Sequence, residues 1–447
     1  MVDRTAERWE QALDEWLAPF LAPMGHKTRR RWAPVYVRGL LGPGERKSVQ
    51  PMAARVAPAD CDQLHHFISS PTWDSAPLET VLVHAADRLV GGPDAILVID
   101  DTALPKKGTH SVGVARQYAG ALGKRANCQT LVSLTLARGE VPVPLALRLF
   151  LPEAWTRDTD RLRRAGVPDA AQKPRAKTTL ALAELDRLIA AGVRFGAVVM
   201  DAGYGISARF RRGLADRNLV WAAGIPKVQN VYSTAVELRW PPTSRGRPRK
   251  HPVPSEAPVS AEIALRGARR RRLTWRRGTK GPLRAAFAAK RVCPAEGAQL
   301  PNGWHAPGAE VWLVGERRAS GERKYYLCNL PADTPLKAMA ALIKARWVCE
   351  QAHQQMKEEL GLDHFEGRSW TGLHRHALLT MIAFAFLQHL RLEQRRAARG
   401  KSGGKNPDRA AAAADTPCRP PCSPRAPRRP CAPAMPSMSR RDQPPPA

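Results

Sequence analysis

Two short apolar runs in this chain each end in an acid where a buried strand should emerge. Ala95-Ile96-Leu97-Val98-Ile99 leads into Asp100-Asp101-Thr102, and Ala197-Val198-Val199-Met200 leads into Asp201-Ala202-Gly203. Runs this short and this rich in β-branched residues predict central strands of a sheet covered on both faces. A carboxylate at the tip of such a strand has a rigid mount. If the two strands are neighbours, their acids repel unless a cation lies between them. Hard divalent ions held by carboxylates are what phosphoryl-transfer sites use.

Charge narrows the partner. The 447 residues carry 71 Lys and Arg against 40 acids, a formal net charge of +31, with 43% apolar residues. A folded chain this basic calls for a polyanion, and nucleic acid is the first choice. A membrane is not expected, because no run approaches the ~18 apolar residues of a spanning helix. The longest stretch, Ala377 to Leu387, is interrupted by Thr380 and predicts a core helix. The chain opens on charged residues with no signal-peptide pattern. Its eight cysteines show no framework spacing, which suits a reducing compartment. The expected location is the cytoplasm, in association with the nucleoid.

The segments fall into an order. Residues 1–90 predict a helical DNA-binding domain, with basic loops at Lys27-Thr28-Arg29-Arg30-Arg31 and at 42–48. From 91 to 224 the pattern is strand 95–101, a polar loop 105–127, a hairpin (128–137 and 141–150) turning at Arg138-Gly139-Glu140, helix 177–191, strand 195–201, helix 206–217 and strand 219–224. This α/β order, β-β-β-α-β-α-β, is that of the ribonuclease H fold, in which the first and fourth strands lie side by side. Residues 225–335 read as a basic, β-rich insertion domain. Residues 336–396 read as the C-terminal helices of the core, with one long helix over about 335–360 and an apolar one over about 372–396. The tail, 397–447, holds 12 of the 40 prolines with 10 basic and 3 acidic residues. That composition predicts disorder. Removing its +7 from +31 leaves +24 on the folded part.

A third acid is sought on an element that packs against the strand tips. Arg346, Glu350, His353 and Lys357 are spaced 4, 3 and 4 and so share one helix face. An acid flanked by two cations suits a metal ligand between phosphate clamps. The same spacing also suits a solvated face with an i,i+4 ion pair. Elsewhere, Arg245-Gly246-Arg247-Pro248-Arg249-Lys250 resembles an AT-hook, in which Arg247 and Arg249 would enter a minor groove. Trp275, Arg276 and Arg277 combine an aromatic face with cations for stacking and phosphate contact. Packing of Trp275 on an edge strand fits equally well.

The helix pattern Arg346-x3-Glu350-x6-Lys357 resembles the signature helix of the IS4 superfamily of transposases, with Ile343 where that superfamily usually has Tyr. The wider chain resembles the IS701 family of bacterial insertion-sequence transposases. The segments that carry this resemblance are Val98-Ile99-Asp100-Asp101-Thr102 with Pro105-Lys106, Ser111 to Val114 through Arg116-Gln117-Tyr118, Asn127-Cys128-Gln129, Met200 to Gly205, Trp275 to Gly281, Arg346 to Lys357, and Phe365-Glu366-Gly367-Arg368-Ser369. They span about residues 5–396.

The resemblance implies a ribonuclease H-like core whose catalytic, metal-binding triad is Asp101, Asp201 and Glu350. It also implies two divalent ions, Mg2+ or Mn2+. Asp101 is preferred to Asp100 because the superfamily's first acid usually precedes Thr or Ser. Strand alternation turns the two acids to opposite faces, so only one can reach the ions. Arg346 and Lys357 would hold the scissile phosphate, and Arg247, Arg249, Trp275, Arg276, Arg277 and Lys280 would contact DNA. The implied partners are double-stranded DNA, as element terminal inverted repeats and target, and further copies of the chain in a homodimer or larger assembly. The implied activity is metal-dependent DNA cleavage and strand transfer. Two alternatives stay open: a nuclease of the same fold that never joins, and a DNA-binding remnant that has lost catalysis. The Pro-Arg-Cys tail has the look of a shifted reading frame, which bears on the second.

Overall fold

Helical spacing of large apolar residues sets the first layer of the computed structural model, which describes residues 4–70, 73–240, 252–278, 281–300 and 303–401. Helices α1 (Arg4–Leu21), α2 (Lys27–Leu41), α3 (Val49–Val56), α4 (Cys61–Ser69) and α5 (Ala76–Val90) precede the sheet. Leu13, Leu17 and Phe20 of α1 and Trp32, Tyr36, Val37 and Leu40 of α2 recur every three or four residues, and all are buried. They face one core because that spacing puts them on one stripe.

The sheet begins with β1 (Ile96–Pro105), β2 (Ala115–Ala119), β3 (Lys124–Arg138) and β4 (Val141–Phe150). Helix α6 (Lys177–Ala190) crosses over to β5 (Ala197–Met200). Helices α7 (Ala202–Gly205) and α8 (Ala208–Ala215) then lead to β6 (Trp221–Ile225). β1 pairs antiparallel with β3, and β3 with β4; β1 pairs parallel with β5, and β5 with β6. The order is therefore β4-β3-β1-β5-β6. Leu97 aligns with Val198 and Ile99 with Met200, so Asp100 of β1, which continues to Pro105, lies beside Asp201 at the end of β5. Every residue of β5 is buried, as expected of a parallel strand covered on both faces.

Three features differ from the sequence expectation. The polar loop 105–127 contains β2, which pairs with the start of β3. Its alternating burial marks an edge strand with one face in solvent, a pattern weak in hydrophobicity because only alternate positions are covered. The long strands of the β-rich stretch after β6 are not separate from the core sheet, although Leu238–Arg239 and Val253–Pro254 pair as a two-stranded sheet of their own. Strands β7 (Arg271–Gly278), β8 (Gly281–Gln299), β9 (Val311–Arg317) and β10 (Arg323–Cys328) extend the same sheet. β10 pairs with β6, and β9 and β8 follow in turn. They cover a sheet edge that would otherwise expose unpaired backbone groups. Finally, the helix expected over 335–360 is two, α9 (Leu336–Ala345) and α10 (Trp347–Glu358). The interruption falls at Arg346, whose side chain turns into the acid cluster described below.

The last element, α11 (Trp370–Lys401), is apolar all round over 377–386 but for Thr380, and those residues are buried. It packs against the N-terminal helices on one side and β4 on the other, which is why it lacks a polar face there. No helix among the described residues is long and apolar enough to cross a membrane. The tail beyond 401, expected to be disordered, lies outside the described residues, as does the AT-hook-like segment.

Candidate active site

Asp201 follows the last residue of β5 and caps α7. Its backbone is extended and its Oδ1 accepts a hydrogen bond from the Tyr204 amide at 3.1 Å. Asp is favoured at such a position because its carboxylate satisfies an amide left open by the first helical turn. The turn is held close to β6 by glycine: a Cβ on Gly205 would sit 2.0 Å from the Gly224 carbonyl oxygen. The segment Asp201 to Gly205 therefore fixes the second acid against two strands at once.

The two acids of β1 point to opposite faces, as strand alternation requires. Asp100 is opposite Ser133 of β3, on the face covered by α10. There His353 Nε2 lies 2.8 Å from Ser133 Oγ, and Cys349 Sγ lies 3.4 Å from Thr135 Oγ1. Asp100 Oδ2 accepts from Arg346 Nη1 at 2.6 Å, and Oδ1 accepts from the Asp101 amide at 2.8 Å. Arg346 also pairs with Glu350, one turn along. Asp101 faces the other way. Its Oδ1 accepts from the Tyr204 hydroxyl at 2.6 Å and its Oδ2 from Lys177 Nζ at 2.6 Å. The resemblance preferred Asp101. The structure instead brings Asp100 to Arg346 on the Glu350 helix, because the register of β1 on β3 sets which acid lies beneath α10.

Charge is concentrated here. Burial pushes the Asp100 carboxyl up to about 7; Arg346 pulls it down, while Asp201 and Glu350 push it further up. Burial likewise raises Asp201, and the charge of Asp101 adds to this. Burial works against the Arg346 charge, yet Asp100, Glu350 and Asp201 outweigh it and raise its pKa. Burial and Asp101 keep the Tyr204 phenol protonated, so it serves as a donor. Four carboxylates meet two cations, Arg346 and Lys177. Oxygen donors with surplus negative charge are the donor set that hard divalent ions take.

A second group, Asp100, Cys349 and His353, has ligand atoms within 4.8 Å of one another. Each already has a hydrogen-bond partner. Burial holds His353 down at about 3 and pushes the Cys349 thiol up, so both are neutral. They read as polar packing of α10 on the sheet. His353, expected on one helix face with Glu350, is buried against β3 while Glu350 is exposed.

Asp201, Arg346 and Glu350 line a cleft of about 650 Å3, joined by Lys227, Arg318 and Lys324. These last three belong to none of the motifs legible in the sequence. Arg318 and Lys324 flank the β9–β10 turn, and the hairpin signal there could have drawn attention to them. Neither Asp100 nor Asp101 lines the cleft itself. Lys357 lies on α10, half-buried, with its pKa lowered by burial. Trp275 packs edge-to-face on Phe287 beneath the Lys344 ammonium. Arg276 pairs with Glu140 at 3.0 Å and stacks over the Trp347 ring at 3.4 Å. These contacts tie β7 to the β3–β4 turn and to α10, and they account for both residues as packing. Arg277 is exposed. Arg247, Arg249 and Lys280 lie outside the described residues.

Residues 19–282, more than half of the chain, match the model of a family described as DDE superfamily endonuclease. The chain is 30% identical over 189 residues to a probable transposase for insertion sequence element IS701 from Microchaete diplosiphon. That match covers 42% of this chain and 46% of the relative, so it spans less than half of the relative's length. Among solved structures, a piggyBac transposase synaptic complex with hairpin DNA aligns with a TM-score of 0.40 and 11% identity, covering 87% of this chain and 74% of that one. The NurA nuclease from Sulfolobus solfataricus aligns at 0.23 and 10%, covering 58% and 74%. At these scores neither likeness bears on the fold. By the family match over more than half of its length, the chain belongs to the DDE superfamily of endonucleases.

Proposed function

We propose that this chain is an insertion-sequence transposase that cuts and rejoins double-stranded DNA on a ribonuclease H-like core. The observation that carries this reading is the convergence of Asp100, Asp201 and Glu350 on Arg346 where the parallel pairing of β1 with β5 ends. The metal ligands in this reading are Asp100, Asp201 and Glu350. Asp100 takes the place the resemblance gave Asp101, since it shares a face with the Glu350 helix. The donor set suits two Mg2+ or Mn2+ ions, which when bound would supply activation of the attacking oxygen and charge stabilisation at the leaving 3′-oxygen.

The chain's own residues do the rest. Arg346, held between Asp100 and Glu350, would offer its planar fork to a non-bridging oxygen of the scissile phosphate. Lys357, one helix face along, steadies a neighbouring phosphate. Tyr204 and Lys177 clamp Asp101, and through the Tyr204 amide the clamp fixes Asp201. The helical region 1–90 grips DNA outside the site. The insertion 225–335 supplies Arg318 and Lys324 to the cleft wall. The assembly on element ends is a homodimer or larger, and it works at the nucleoid.

The test is product analysis with a supercoiled donor plasmid carrying candidate terminal repeats, in Mg2+. Joined products that disappear with Glu350→Gln are expected. Nicks and breaks alone would make the protein a nuclease. Binding without cleavage would make it a remnant.

A further inference from the structure

Two segments that carry the family resemblance, Pro105-Lys106 and Phe365 to Ser369, take no part in the acid cluster. The structure brings them together. With the loop before α3, they wall a second cleft of about 660 Å3, lined by Arg46, Lys106, Lys107, His110 and Arg368 among others. The walls are locked by hydrogen bonds between distant parts of the chain. Lys106 Nζ donates to the carbonyls of Asp363 at 3.0 Å and Phe365 at 2.6 Å. The Lys47 amide donates to His364 Nδ1 at 3.0 Å, and the Val112 amide to the Arg368 carbonyl at 3.2 Å. Asn127 Nδ2 donates to the carbonyls of Lys106 and Gly108.

The heads left over are cationic. Lys107 and Arg368 are exposed, and among the described residues neither side chain has a hydrogen-bonded or ionic partner. The cleft's two acids sit among cations: Glu366 pairs with Arg46, and Asp363, whose buried Oδ1 has no hydrogen-bond partner, faces Lys106 and Lys357. A rigid concave wall with unpaired cations is an anion site. Its position names the anion. Lys106 and Lys107 lie five to seven residues beyond Asp100 and Asp101 along the same stretch of chain, roughly 20 Å in extended geometry. Asp363 joins the cleft to Lys357 at the end of the Glu350 helix. A duplex seated in the acid cluster would carry its backbone past this point, several phosphates from the cut.

We propose that this cleft is a phosphodiester-binding site for the DNA flanking the cut, with Lys107, Arg368 and His110 contacting phosphate oxygens and Lys106 bracing the wall. This rests on the DNA-cutting reading above. The test is the salt dependence of binding to a duplex, by fluorescence anisotropy with the full chain. Lys107→Gln and Arg368→Gln should each reduce the slope of log K against log[salt] by about one and weaken binding about uniformly across sequences. Arg212→Gln, on the exposed side of α8 and outside both clefts, should leave the slope unchanged. Both test residues are exposed, and unchanged melting temperatures would confirm intact folding. Unchanged slopes in both cleft variants would overturn the proposal, as would an equal loss in Arg212→Gln. If the unsubstituted protein shows no salt-dependent duplex binding, the DNA-cutting reading itself fails.

Discussion

Replacing Asp100 by Asn should separate the stability of this fold from its chemistry. In the folded, metal-free protein the Asp100 carboxyl is raised from 3.8 to about 7, by burial first and by Asp201 and Glu350 after it. An acid with a raised folded pKa binds more protons in the folded state than in the unfolded one between those two values. Stability therefore falls as pH rises from about 4 to about 7, and the loss is complete above 7. A shift of about 3 units sets a ceiling of about 4 kcal/mol on that loss. The substituted side chain cannot ionise and escapes it. Its amide keeps one acceptor where Asp100 uses two, toward Arg346 and the Asp101 amide. That loss costs about 1–2 kcal/mol at every pH. The variant should thus be less stable than the unsubstituted protein at pH 4, cross it near pH 5, and be more stable by about 2–3 kcal/mol at pH 8. Urea unfolding in EDTA at pH 4, 6 and 8 measures this. Cleavage in Mg2+ should be abolished in the same variant, while Asp101→Asn keeps measurable activity. A stability difference that does not change with pH would refute the electrostatic argument. Full cleavage by Asp100→Asn would return the metal-ligand role to Asp101.

Tyr204→Phe removes the hydrogen bond to Asp101 but keeps the ring packed on Phe210; cleavage at low Mg2+ should fall about tenfold with the melting temperature nearly unchanged, and an unchanged Mg2+ titration would count against the clamp. Gly205→Ala forces a Cβ toward the Gly224 carbonyl and should destabilise the fold by about 2–4 kcal/mol in urea; a neutral result would mean that α7 can lift from β6 without strain. His376 is buried, with Nδ1 2.9 Å from the Tyr36 hydroxyl and Nε2 3.0 Å from the Gly361 carbonyl oxygen, and burial holds it down at about 4. The unfolded chain takes up that proton from about pH 6.5 downward, so stability should fall by about 3 kcal/mol between pH 7 and 4; His376→Asn should remove one proton from that dependence, measured by urea titration at each pH.

The sequence by itself determined the elements that lie in the core. Ile96–Ile99 and Ala197–Met200 had to be buried strands because each is an unbroken apolar run bounded by polar residues. The hairpin at Arg138-Gly139-Glu140 was legible from its turn residues. Asp201 and Glu350 could be singled out, one as a strand tip and the other as part of a helical pattern with Arg346 and Lys357. What sequence alone could not settle was which face each side chain reaches, because a shift of one residue in register exchanges the faces of a strand. Only the pairing of Asp100 with Ser133, beneath α10, puts that acid and not Asp101 beside Arg346. The same holds for Arg276, whose basic run suggests DNA but whose guanidinium meets Glu140 and Trp347. The cleft between Lys107 and Arg368 joins residues 261 positions apart (368 − 107). Local pattern records what a residue tends to do with its neighbours in the chain. Opposed charges and long-range hydrogen bonds are fixed only when distant segments pack, and in this protein they decide where the chemistry sits.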